Sequence, residues 1–167
     1  MALVGLAGIA GVLWTPVAGR LLDDPALDSL LVAVWAFVGG GLYGGFGYLV
    51  GGVLLFLGLR SAGSPGSYRR ARHLLAFALA PIALSLLVLW PIRIAAYGSD
   101  LFRTGGDDTG TGNAVFGALA LGFGAWSGAL LVIGARAVHG WRWERAVEGI
   151  ALSLALPALV AAAVFLL

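Results

Sequence analysis

Few side chains in this sequence could do chemistry, and four of them fall near the ends of apolar runs: His73, His139, Glu144 and Glu148. Glu144 and Glu148 stand one helical turn apart, on one face. Two imidazoles and two carboxylates form a plausible zinc donor set, or the means to activate a water as membrane-embedded proteases do. The spacing argues against both. No HExxH is present, and no carboxylate pair lies inside an apolar run. Glu148 in a helix's first turn favours the dipole, Glu144 has arginines beside it, and His139 belongs to a wet turn. Ser85 and Ser127 are single hydroxyls within apolar runs, expected to bond back to the preceding turn's carbonyl. Asp107-Asp108, followed by Thr109-Gly110-Thr111-Gly112-Asn113, has the residue types of a calcium loop but neither the ligand spacing nor the closing Glu of an EF-hand. No glycine loop carries a phosphate-binding Lys. The expectation is a non-enzyme with no catalytic, cofactor-binding or metal-binding residues.

The elements that would position these groups are apolar. Of 167 residues 60% are hydrophobic and 11% charged, and the mean hydropathy is +0.99. A soluble domain of this length needs a charged shell, so the class is an all-α polytopic membrane bundle in one transmembrane domain, residues 1–167. The absence of cysteine excludes disulfides, thiolate metal sites and cysteine-linked lipid anchors. All ten cations are arginine, and a net charge of +2 is too small to imply nucleic-acid binding.

Five spans are expected, at about 2–18, 30–59, 72–97, 114–135 and 146–167. The first barely crosses a hydrocarbon core of roughly 30 Å. Without a positive n-region it reads as a retained helix, with a cleaved signal peptide as the rival. Asp28 or Ser29 would cap the second span. That span is too long to stand upright, which predicts one helix kinked near Gly39-Gly40-Gly41, with a re-entrant piece as the alternative. Pro81 lies mid-span in the third, where it frees a backbone carbonyl and is expected to kink the helix; Pro157 lies mid-span in the fifth, and Asn113 would cap the fourth. Arg93, near an exit marked by Trp90 and Tyr97, is expected to snorkel to water as an anchor.

Glycines mark the packing surfaces. Gly40, Gly44, Gly47, Gly51 and Gly58 recur along one helical face, leaving a groove for close approach. Gly117, Ala120, Gly124 and Gly128 share a face of the fourth span and would dock there. Ala76, Ala80 and Ala83 line the third span, and Ala151, Ala155, Ala158 and Ala162 the fifth. Gly40, Gly44, Gly47 and Gly51 are also where a protein partner or a second copy could approach. One internal echo joins the halves: Arg72 to Pro81 and Glu148 to Pro157 are the same distance, as in the parallel repeats of transporters.

Orientation follows from arginine. The turns at 60–72 and 136–145 hold seven, and the loops at 19–29 and 98–113 hold two. Basic turns stay cytoplasmic, which places the amino terminus inside and the carboxyl terminus outside the cell membrane. Arg69, Arg70, Arg72, Arg136 and Arg142 would then face anionic lipid of the bilayer.

Gly66-Ser67-Tyr68-Arg69-Arg70, then Leu74-Leu75-Ala76-Phe77-Ala78 and Pro81, resemble the centre of the Yip family of Rab-GTPase-interacting membrane proteins. Val138-His139-Gly140, Arg145-Ala146 and Pro157 resemble that family's closing segment. The resemblance covers roughly residues 40–167 and is closest to the short prokaryotic members. It implies five spans and a cytoplasmic amino terminus, and in eukaryotic members a link to prenylated Rab GTPases and vesicle traffic. The functional expectation is a non-catalytic adaptor or scaffold. The alternative is a small transporter or channel for a neutral or apolar solute, since the spans carry almost no ionisable residue at mid-depth.

Overall fold

The computed structural model describes residues 2–15, 29–98 and 111–166. Six helices lie among them: α1 (Ala2–Leu13), α2 (Ser29–Ser61), α3 (Tyr68–Ala78), α4 (Ala80–Tyr97), α5 (Thr111–His139) and α6 (Trp143–Leu166). There is no strand among the described residues. Among the described residues three stretches are long and apolar enough to cross a membrane: Ala33–Ser61, Tyr68–Tyr97 and Thr111–His139. The protein is an all-helical, polytopic membrane bundle.

Several boundaries differ from expectation. α1 has 12 residues, about 18 Å, shorter than the expected span of 2–18, whose last three residues lie outside the described residues. Pro16, the signal-cleavage question, the loops holding Asp23, Asp24, Asp28, Asp100, Arg103, Asp107 and Asp108, and the arginine count of those loops lie outside the described residues. α2 runs unbroken for 33 residues through Gly39–Gly41, so the re-entrant alternative falls. Arg69, Arg70 and Arg72 belong to the first turns of α3, not to a loop.

Pro81 does more than kink. It cannot donate to the carbonyl of Phe77, and the helix is interrupted at Leu79, with Pro81 in the first turn of α4. Pro157 sits inside the continuous α6. The echo between the halves therefore fails at the prolines.

The chain forms two compact units, one of residues 1–46 and 79–127, the other of 47–78 and 128–167. In the first, α1 packs on α4 and on the glycines of α2. Val4, Ala7 and Ala10 are buried. A Cβ on Gly40 would lie 2.5 Å from Ile9 Cα, and one on Gly44 would lie 2.5 Å from Val4 O. Backbone meets backbone, which only glycine permits.

The second unit has a core of Leu55, Leu59, Ala71, Leu74, Ala135, Ala146 and Ile150. α6 reaches α2 where Gly58 faces Gly149 and Ser153, while Gly134 of α5 accepts Leu74. The pairing of α5's stripe with the α2 groove is thus corrected. A Cβ added to Gly117, Gly124 or Gly128 would meet nothing within 4 Å, whereas on α2 Gly40 and Gly44 face α1, Gly51 faces Leu75 of α3, Gly58 faces α6, and Gly47 faces open space. The alanine stripe of α6 also faces outward. Its packed side is Ala146, Gly149, Ile150 and Ser153, because these meet the end of α2.

Candidate functional site

The second unit brings the two basic turns together. α2 ends in a glycine cap: Gly63 has φ 89°, its N–H donates to Arg60 O at 2.9 Å, and Ser64 N–H donates to Leu59 O at 2.9 Å. α5 ends in the same way at Gly140, φ 63°, where Trp141 N–H donates to Arg136 O at 3.1 Å. A left-handed residue here satisfies carbonyls the helix leaves bare, and glycine adopts that conformation at least cost.

Two contacts tie these caps to each other. Arg145 Nε donates to Ala62 O at 2.7 Å, setting a cation on the negative end of α2. Ser64 Oγ and His139 Nε2 are 2.7 Å apart, and His139 Nδ1 is 2.8 Å from Ala135 O. A carbonyl only accepts, so Nδ1 carries a proton and, in the neutral ring, Ser64 donates to Nε2. Ser64 Oγ in turn accepts from Gly66 N–H at 2.9 Å. The Trp141 ring stacks on His139, centroids 4.6 Å apart, and the Arg145 guanidinium lies 5.1 Å from the Trp141 centroid. A serine–imidazole contact is also how a hydrolase activates a nucleophile. Here Ser64 is buried, and the contact ties the turn after α2 to the end of α5, so the pair latches the two hairpins together.

The arginines divide into two groups. Arg72 lies over Tyr68 (4.6 Å) and Tyr48 (5.7 Å), Arg136 over Trp143 (4.6 Å), and Arg60 over Phe56 (5.7 Å). Tyr68 further donates to Leu49 O at 3.1 Å. Arg69 and Arg70 are exposed, with guanidinium groups that make no hydrogen bond, ion pair or ring contact. Arg142 pairs at 3.5 Å with Glu144, both well exposed.

The four candidate metal ligands are not assembled. His139 is taken by Ser64, His73 is exposed on α3, Glu144 meets Arg142, and Glu148 is exposed on α6. Among the described residues no group of three or more such side chains could hold a metal. Ser85 bonds back to Ile82 O at 2.7 Å as expected, as does Ser153 to Ile150 O at 2.6 Å, whereas Ser127 Oγ has no partner.

Arg93 reverses its expected role. It is 5% exposed, with its guanidinium 4.4 Å from the Trp14 centroid, 5.0 Å from Trp90 and 5.7 Å from Phe116. Its NH2 donates to Asn113 Oδ1 at 3.1 Å. Asn113 therefore holds Arg93 instead of capping α5, which already begins at Thr111. Spacing alone could not find this site, because Trp14 and Asn113 are far apart in the chain.

A polytopic helical bundle whose two basic hairpins are bolted together belongs to a class of integral membrane proteins. The family model described as Yip1 domain matches residues 1–166, and the chain belongs to that family. The match includes α1, beyond the 40–167 stretch that carried the resemblance. No curated protein and no solved structure matches the chain.

Proposed function

We propose that this Yip1-domain protein is a non-catalytic adaptor of the cell membrane, presenting its two arginine-rich hairpins at the cytoplasmic leaflet. On this reading the chain crosses five times, with the amino terminus inside and the carboxyl terminus outside, the orientation that the arginine count of the turns favours. One observation carries it: Ser64–His139 and Arg145–Ala62 O join hairpins 75 and 83 residues apart into one preformed surface. A preformed surface lowers the ordering cost of binding a partner. The charge-bearing side chains of the unit go to holding that surface or facing outward from it.

Photo-crosslinking residues placed at Arg69 and Arg142 in cells test the proposal. Both positions should give the same discrete protein adduct, and Ser64→Ala together with His139→Ala should weaken both. Adducts absent at both sites, with solute flux in vesicles reconstituted with the pure chain, would favour the transporter alternative instead.

A further inference from the structure

We infer that the cleft where α2, α3 and the end of α5 meet seats the phosphate of an anionic lipid, with Arg70 as its main contact. The inference rests on the leaflet-facing placement of the basic hairpins, but not on a protein partner.

The cleft has an apolar floor of Phe56, Leu59 and Leu74, and a polar rim where Ser67, Arg70 and His139 stand. At about 10 Å³ its interior admits little more than a single oxygen-sized group, so a ligand sits on the rim and buries only its edge. No acidic side chain lines it; Glu144 and Glu148 line a separate open groove with Trp141 and Arg142.

The division among the arginines selects the contact. Arg60, Arg72 and Arg136 rest on aromatic rings, and Arg145 holds a carbonyl and a ring. Arg70 alone lines this cleft, and Arg69 beside it is equally unengaged. A planar guanidinium matches two phosphate oxygens at once. The Ser67 oxygen accepts from Arg70 N–H at 3.4 Å, which leaves its hydroxyl proton to give. Above an apolar floor at the bilayer boundary, this chemistry fits an amphiphile with an accessible phosphate. Phosphatidic acid is the simplest probe, because its monoester phosphate offers three oxygens and up to two charges.

The test uses the full chain in phosphatidylcholine nanodiscs doped with phosphatidic acid, with retained lipids counted by native mass spectrometry. One phosphatidic acid per chain should be retained in preference to phosphatidylcholine. Arg70→Gln should lower its affinity about fivefold, near the contribution of one arginine at a charged surface. Arg142→Gln, on the other groove, removes only a general surface charge and should lower it by clearly less. Unchanged melting temperatures check that both variants are folded. Equal loss in the two variants, no preference for phosphatidic acid, or full displacement by inorganic phosphate would overturn the inference. The assay needs neither a protein partner nor a particular leaflet, so its failure leaves the adaptor reading standing, and failed crosslinking leaves this one standing.

Discussion

At the scale of single residues, the same arginine chemistry has opposite uses in the two units. Arg93 is a cation enclosed by three rings and an amide, while Arg70 is left open to its surroundings. Ring contacts of this kind contribute about 0.5–2 kcal/mol each, with the larger values where water is excluded. Arg93→Leu should therefore lower stability by about 2 kcal/mol or more, and Asn113→Ala by about 1–2 kcal/mol, read as a drop in melting temperature in detergent. A loss within error for Arg93→Leu would mean the rings gain nothing from the charge. The latch is a smaller effect. Ser64→Ala should cost about 1–2 kcal/mol, because Gly66 N–H and His139 Nε2 both lose their partner. A double-mutant cycle with His139→Ala should show coupling well above 0.5 kcal/mol, and additive costs would refute the latch. The residue types of this site were legible in the sequence. Their pairings were not, since hydrogen bonds spanning 75 residues leave no local period to read.

At the scale of elements, the glycines separate into those a neighbour occupies and those facing open space. A methyl group on Gly44 would press on the backbone of α1, which cannot move aside as a flexible side chain would. Gly44→Ala should then cost about 1–3 kcal/mol through overpacking. Gly124→Ala, with nothing within 4 Å, should be neutral or stabilising by up to about 1 kcal/mol. Thermal melts of the two variants side by side decide the matter, and equal shifts would contradict the packing described. Gly140→Ala should cost about 1–2 kcal/mol for a different reason, its left-handed backbone. Periodicity identified helix faces rich in small residues correctly. It could not say which face was used, because stripes on α5 and α6 carry the same signal whether they meet a helix or the surroundings. The proline positions were equally visible, yet Pro81 divides its helix and Pro157 does not.

At the scale of the whole molecule, the two units suggest different tasks. In the first, the short α1 closes over the glycines of α2, and the second gathers the basic turns. The adaptor reading predicts that labels on the hairpins at Gly66 and Arg142 react only from the cytoplasmic side of intact cells. Reaction from outside would reverse the orientation. What the sequence determined by itself was the class: so apolar a chain with so few charges must place its helices in lipid, where each satisfies its own backbone. Family membership was likewise written locally, in the run from Gly66 to Arg70 and the turn around Gly140. Only the tertiary structure decided which arginines are spent inside the protein and which face out, and which glycines bear a neighbour. Those outcomes depend on the register between helices distant in sequence, and no pattern within one helix encodes it.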